Sequence, residues 1–345
     1  MKTNLFDIIA ARIEKSWYQD KWWNFWLLPF SAVFFVISHL RRVGLRSLQA
    51  TKKPVGFPLV VIGNINVGGT GKTPLVCFLV DALAKKDVKV GIISRGYGSA
   101  APYYPYALEK NEDAILVGDE PKLLRDRLDC PVVIGADRNA AIKLVSQQNI
   151  DLILSDDGLQ HYKMQRDYEI VVLDQIRKLG NGWLLPAGPL REGAWRLEKV
   201  DAVIYNGPSS LLDSSLLGEG AMHIVPSAWV NAKTQQRKEL GYFINKTVHA
   251  VVGIGNPQRF FTTLDTLDVN YKKHIFADHH AFIAADLDVL DDFAECLVMT
   301  EKDWVKCEKF ATESMWYLEV SAQLDSQFGK KLLNDLVKLS ISARP

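Results

Sequence analysis

Cysteine is scarce in this chain of 345 residues, and its four copies, Cys77, Cys130, Cys296 and Cys307, lie far apart. No CxxC pair occurs and no histidine accompanies them at zinc spacing, which excludes a disulfide-stapled scaffold and a structural zinc module. They read as reduced, mostly buried thiols of a cytoplasmic protein. An excess of charge is also missing: 41 Lys and Arg face 40 Asp and Glu, a formal net charge of +1. That balance removes any global electrostatic case for nucleic acid or an acidic partner, so a charge signal must be local. Internal repeats and low-complexity segments are absent. With 48% apolar and 23% charged residues, the chain has enough core-forming side chains to exclude disorder, and enough length for two α/β domains or one large one.

One long apolar run is present. Between Lys21 and Arg41 lie nineteen residues without a formal charge, WWNFWLLPFSAVFFVISHL. At about 1.5 Å per residue a helix of this length reaches roughly 28 Å, close to the hydrocarbon thickness of a bilayer. Its polar residues Asn24, Ser31 and Ser38 recur every seventh position and form one narrow stripe on a helix otherwise apolar all round. Trp22, Trp23 and Trp26 crowd one end, as interfacial aromatics do. Beyond the other end RRVGLRSLQATKK carries five cations and no acid, suited to an anionic cytoplasmic lipid surface. Pro29 is expected to kink the helix. A secretory signal is excluded because no small-residue cleavage site follows. A full span, a helix lying in one leaflet and a helix buried against the protein's own core stay open.

From Phe57 onward, short apolar runs alternate with helical stretches: PLVVIG, VKVGIIS, CPVVIG, DLILS, EIVVLD and VDAVIYN, then HAVVGI, HIFA and CLVM. Continuous apolarity suggests strands buried on both faces, hence an α/β fold with a parallel sheet flanked by helices. Right-handed crossovers would then place any ligand at the carboxyl ends of the strands. The segment from Met222 to Lys246 interrupts this rhythm, where IVPSAWVNA and ELGYFIN, separated by KTQQRK, read as a two-stranded ribbon. The expected organisation is a hydrophobic helix with its basic flank at 1–50, a nucleotide-binding core at 51–221, a ribbon linker at 222–246 and a smaller α/β domain at 247–345.

Residues 63–74, GNINVGGTGKTP, follow the strand PLVVIG and match the phosphate-loop pattern GxxxxGK[ST], except that Asn66 stands where its first Gly belongs. Pro74 suits a first helical turn. Gly68, Gly69 and Gly71 let consecutive backbone N–H groups converge on phosphate oxygens, and Asn tolerates the left-handed backbone that Gly would supply. The loop residues Asn66, Val67, Gly68, Gly69, Thr70, Gly71, Lys72 and Thr73 are therefore expected to hold a nucleoside triphosphate. Lys72 would reach its β and γ phosphates, and the Thr73 hydroxyl would take a magnesium position. The strand of IDLILSDDG ends in Asp156 and Asp157, a context for the carboxylate that holds the metal; a helix or turn cap is the alternative.

In order and spacing, GNINVGGTGKTP (63–74), SRGYG (94–98), GDEP (118–121), GADR (135–138), SDDGLQH (155–161), LPAGPLREG (185–193), GIGNPQRFF (253–261), ADHHAF (277–282) and TEKDWVK (300–306) resemble the tetraacyldisaccharide 4′-kinase family of lipid A biosynthesis. The resemblance covers essentially the whole chain. That family commonly lacks the opening Gly of the loop, so Asn66 reads as a family trait. The resemblance implies ATP-dependent, magnesium-assisted phosphorylation of the 4′-hydroxyl of a tetraacylated glucosamine disaccharide 1-phosphate, giving lipid IVA at the cytoplasmic face of the inner membrane. It implies two nucleotide-binding-like α/β/α domains joined by a β ribbon, preceded by a hydrophobic helix.

Carried over residue by residue, Asp119 of GDEP matches the proposed catalytic base and His279 of ADHH the histidine paired with it, with His280 as the neighbouring alternative. A sugar hydroxyl is too weak an acid to ionise near neutrality, so an aligned carboxylate must accept its proton as the phosphoryl group moves. Lys72, magnesium and Arg191 would supply charge stabilisation. Glu192 matches an acidic residue near the metal, and Arg95 and Arg138 would meet phosphate or substrate. TEKD has no assigned role. The competing readings are a membrane-associated P-loop ATPase or GTPase, and a nucleotide switch with no lipid acceptor.

Overall fold

The computed structural model describes residues 12–19, 21–49, 56–207, 218–278, 280–291 and 296–342. A 3-10 segment, Trp22–Leu27, leads into the 22-residue helix α1 (Leu28–Gln49). Pro29 lies in the first turn of α1, where no intrahelical N–H bond is needed, so the expected kink is replaced by the junction between the two helix types. Burial along this segment is inverted. Asn24 and Ser31 are buried, whereas Trp26, Phe30, Val33, Ile37 and Leu40 are exposed, Trp26 by 74%. Burial against the protein's own core is thereby excluded: 11% of the most apolar window in Trp22–Leu45 is inside the molecule.

Among the described residues thirteen strands follow: β1 (Leu59–Gly63), β2 (Val90–Ser94), β3 (Tyr106–Ala107), β4 (Val132–Ile134), β5 (Leu152–Asp156), β6 (Tyr168–Asp174), β7 (Ala202–Asn206), β8 (Glu219–Asn231), β9 (Arg237–Lys238), β10 (Thr247–Val252), β11 (Asn270–Ile275), β12 (Leu297–Thr300) and β13 (Met315–Leu324). They make one sheet in the order β11-β10-β12-β13-β8-β7-β6-β1-β5-β2-β4-β3, with β9 paired to β8. Helices α2 (Lys72–Ala84), α3 (Asp119–Arg127), α4 (Arg138–Val145), α5 (Pro257–Thr266), α6 (Ala284–Asp291), α7 (Glu301–Cys307) and α8 (Ser326–Ser342) flank it. Residues of β1, β2 and β5 are buried throughout, as strands covered on both faces must be. Val60 and Ile62 pack with Leu75 and Leu79 of α2 and Leu332 and Leu336 of α8, whereas Leu59 and Val61 pack with Ala141, Ile142 and Val145 of α4. The alternation of β1 thus feeds two separate cores.

The pairing of β8 positions everything else. β8 runs parallel to β7, ending on Asn206↔Met222, and antiparallel to β13 from Leu324↔Met222 to Trp316↔Asn231. β12 is parallel to β13 and ends at Thr300↔Leu318. The carboxyl ends of the two parallel sets therefore face each other across the stretch of β8 between Met222 and Trp229. A bulge in the β8–β13 ladder falls there, between Glu319 and Val320.

This corrects the expected ribbon at 222–246. The principal partner of β8 is β13, not ELGYFIN; only Arg237–Lys238 pairs back on β8, and Leu240–Phe243 is a 3-10 turn. The chain also crosses between the two sets twice, since α8 returns to pack on the first.

Candidate functional site

At the carboxyl end of β1 the backbone turns through Asn64–Gly71 into α2. Gly68 and Gly71 adopt φ of 109° and 92°, a region that side chains with a Cβ rarely enter. At Gly71 a Cβ would lie 2.4 Å from Asn206 Nδ2 and 2.8 Å from Ile224 Cδ1, so the loop is seated on the end of β7 and the middle of β8. Asn206 Nδ2 also donates to the Thr70 carbonyl at 2.9 Å. Asn64 spans the turn, donating to the Gly68 carbonyl at 3.2 Å and accepting from Lys72 Nζ at 3.3 Å. Asn66 is buried and donates to the Lys178 carbonyl at 3.2 Å. Its neighbour Val67 donates its N–H to the Pro189 carbonyl at 2.9 Å, which ties the loop to the LPAGPLREG segment.

Lys72 opens α2 and pairs with Asp157 Oδ1 at 3.0 Å, while Arg191 Nη1 lies 4.0 Å from Asp157 Oδ2. Burial raises the Asp157 pKa, but Lys72 and then Arg191 outweigh it and hold the group below its usual value. Asp156, one residue earlier, is 1% exposed and its Oδ1 has no hydrogen-bond partner. Burial, then the charge of Glu120, pushes its carboxyl above the ordinary range despite Lys72. Thr70 Oγ1 is a second buried polar atom without a partner. Among the described residues no three His, Cys, Asp or Glu side chains are gathered as a ready metal site.

Asp119 and Glu120 begin α3 on the far wall of the cleft, after Gly118 at φ 90°. Burial and the charge of Asp157 oppose ionisation of Glu120, but Lys302 and then Lys72 keep its pKa low nonetheless. Its partner is Lys302 Nζ at 3.0 Å, a cation that Asp278 and Asp119 also face. A second bond across the cleft comes from α5, where Arg259 Nη2 pairs with Asp174 Oδ2 at 2.9 Å and donates to the Asn206 carbonyl at 3.4 Å. Arg177 Nη1 stands 3.4 Å from where a Cβ on Gly68 would lie. Glu120, Lys302 and Arg259 lie in the motifs GDEP, TEKDWVK and GIGNPQRFF, which give them no role by themselves, and Arg177 lies outside every motif. Their meeting depends on which strand ends adjoin, which no local spacing reports.

The remaining expected residues differ in setting. Glu192 is buried: one carboxylate oxygen accepts from the Tyr162 hydroxyl, and the other lies 3.2 Å from Arg196 Nε without a hydrogen-bond partner. Arg138 is buried rather than presented to ligand. It donates to the Asp156 carbonyl at 3.0 Å, and burial lowers its pKa to about 10. Arg95 is exposed. His279 lies outside the described residues. His280 is committed to Asp286 Oδ2, 2.9 Å from its Nε2.

The amino-terminal segment leans on the same region through its polar stripe. Ser31 Oγ donates to the Leu184 carbonyl at 2.8 Å and accepts from the Ala187 N–H at 3.0 Å. Trp17 Nε1 donates to the Pro186 carbonyl at 3.0 Å, and Phe25 meets Trp183 edge to face. Asn24 closes on Ser16 within the segment. The guanidinium of Arg42 lies 4.0 Å over the Trp195 ring. The seven-residue stripe is therefore the docking seam, and the apolar flanks face outward.

Comparison with known proteins follows this geometry. A family model described as tetraacyldisaccharide-1-P 4′-kinase matches residues 23–337. The tetraacyldisaccharide 4′-kinase of Colwellia psychrerythraea is 46% identical over 340 residues, 96% of this chain and 98% of that protein. That of Tolumonas auensis is 44% identical over 330 residues, 95% and 98% of the two chains. Among solved structures, the LpxK from Aquifex aeolicus crystallised with ATP is similar with a TM-score of 0.75 and 26% identity, over 92% of this chain and 99% of that one.

Proposed function

This chain belongs to the tetraacyldisaccharide-1-P 4′-kinase family, and from that premise we propose how its residues transfer the γ-phosphate of ATP to the 4′-hydroxyl of a tetraacyldisaccharide 1-phosphate, giving lipid IVA. The observation that carries the reading is the convergence of strand carboxyl ends. A glycine-lined loop with Lys72 lies on one wall of the cleft and a helix beginning with Asp119 on the other, linked electrostatically through Glu120.

The backbone N–H groups of Gly69–Thr73, at the start of α2, are suited to bind the phosphates. Lys72 and Arg191, now satisfied by Asp157, would exchange that carboxylate for phosphate oxygens and offset the charge that builds as the phosphoryl group moves. The partnerless Asp156 Oδ1 in its buried site fits a divalent cation, which Asp156, Asp157 and Thr73 would hold between them. Magnesium held there would supply positive charge to offset that of the phosphates. Glu192, with one oxygen held by Tyr162 and the other beside Arg196 without a hydrogen bond, would add a further carboxylate near the metal. Asp119 would accept the sugar proton.

Membrane docking belongs to the same reading. With Asn24 and Ser31 turned inward, α1 presents its apolar flanks while remaining seated beside Arg191, so a helix lying in the cytoplasmic leaflet of the inner membrane is favoured over a full span. A small groove between α1 and the 184–195 segment sets Phe35 and Leu184 beside Arg42, Arg191 and Glu192. The first parallel set with its loop is the nucleotide unit and the second closes the cleft. The test is transfer of radiolabelled γ-phosphate to purified tetraacyldisaccharide 1-phosphate. Lys72→Ala and Asp119→Asn are each expected to lower turnover at least about 100-fold; wild-type turnover in Asp119→Asn would remove the carboxylate from its role.

A further inference from the structure

The TEKD segment, residues 300–303, is chemically conspicuous and unused by the mechanism above. Its outer residues build a rigid start to α7. Thr300 Oγ1 donates to Asp303 Oδ2 at 2.7 Å, and the Asp303 N–H donates back to that hydroxyl at 3.1 Å. Asp303 also accepts from the Gly253 N–H at 3.1 Å and pairs with Lys306 at 2.7 Å, which fastens the turn to the carboxyl end of β10. The two inner residues reach the other way. Glu301 Oε2 pairs with Arg127 Nη1 at 2.8 Å, and Lys302 Nζ pairs with Glu120 Oε1 at 3.0 Å.

Glu120 and Arg127 are the second and last residues of α3. Between them Leu123 packs into the apolar cluster of Phe282, Trp304 and Val305 in the second set, and Lys122 pairs with Glu308 at 2.6 Å. A single ion pair would leave α3 free to pivot about it. Two pairs at opposite ends, with the apolar contact of Leu123 and the Lys122–Glu308 pair between them, define both its axis and its position.

We propose that Glu301 and Lys302 are positioning residues, a two-point clamp through which the second parallel set fixes the helix that begins with Asp119. The proposal rests on the reading of Asp119 as proton acceptor. It gives the second set a task beyond covering the cleft: α3 belongs by sequence to the first set, yet its orientation is set by α7. Chemistry that needs a carboxylate against a hydroxyl loses about two orders of magnitude for an ångström of misplacement, whereas the nucleotide is held chiefly by the loop of β1 and α2, which α3 meets through the charge of Glu120.

The test measures kcat and both KM values for full-length protein carrying Lys302→Met, Lys302→Arg, Glu120→Gln and the Glu120→Gln/Lys302→Met pair. Lys302→Met is expected to lower kcat about 30-fold with KM for ATP unchanged within about threefold, and Lys302→Arg to regain most of that loss. The double variant should be no slower than the slower single, because the two residues act as one unit. Wild-type kcat in Lys302→Met, or strictly additive losses in the double variant, would overturn the clamp. If Lys302→Met does not fold, Glu120→Gln alone carries the same kcat and KM criterion. Asp119→Asn, assayed beside them, separates the two failures: activity there defeats the proton-acceptor reading, whereas an inactive Asp119→Asn with a fully active Lys302→Met defeats the clamp only.

Discussion

A carboxylate with an oxygen lacking any partner is out of place at 1% exposure, and Asp156 is such a group. Its folded pKa is raised, chiefly by burial. The proton is therefore held more tightly in the folded protein, and this contribution is complete below the unfolded carboxylate value and lost as pH rises through the higher folded one. Replacing the group by a neutral amide should relieve the cost. Asp156→Asn is expected to raise the unfolding temperature of nucleotide-free protein by a few degrees at about pH 8, and by less at about pH 5. The same change should abolish the extra stabilisation by Mg2+ and ATP. Thermal unfolding at both pH values, with and without nucleotide, checks it; a lower melting temperature at the higher pH would contradict the argument. Stability given up at a functional site is a general trade.

At the scale of elements, α1 reverses the usual rule for a surface helix, placing its polar stripe against the protein and its apolar flanks outside. The seam is made of hydrogen bonds from Ser31 and Trp17 and an aromatic contact, so its partners survive contact with lipid on the other face. Phe30→Asp/Ile37→Asp, both on exposed positions, should reduce binding to vesicles containing anionic lipid at least about tenfold, since each charge costs several kcal/mol on leaving water. Flotation of protein with vesicles measures this; unchanged flotation would show that the helix does not meet lipid. Pro29 was a false signal for a kink, because a proline is disruptive only where the helix requires its N–H.

At the scale of the whole molecule, the antiparallel β8–β13 pair makes one sheet out of two parallel sets whose carboxyl ends converge. That arrangement lets α5 of the second set reach the ends of β6 and β7 beside the nucleotide loop, and α7 touch α3 of the first. Arg259 is the contact to the loop side, through Asp174 and the Asn206 carbonyl, and Asn206 in turn holds Thr70. Arg259→Ala should loosen this wall and raise KM for ATP about three- to tenfold, with a smaller change in KM for the lipid acceptor. Steady-state kinetics with each substrate varied in turn decides it; a selective effect on the lipid KM would place Arg259 elsewhere in the reaction.

The runs PLVVIG, DLILS and EIVVLD announced buried parallel strands because every residue in them is apolar or nearly so, a local property. The loop at 63–74 and the acids after DLILS were legible for the same reason: backbone freedom, a cation and a strand-end carboxylate follow from residue type and order. β13 escaped, since Glu319, Ser321 and Gln323 break its apolar run, and with it went the true partner of β8. Glu192 and Arg138 shared motif positions with site residues yet turned inward, which spacing alone does not distinguish. The chain's order of residues determined a nucleotide loop, an α/β sheet and an apolar leading helix. Only the tertiary structure decided that Glu120 meets Lys302, that Arg259 reaches Asp174 and that the helix turns its serine inward, because each depends on strands and helices far apart in the chain becoming neighbours.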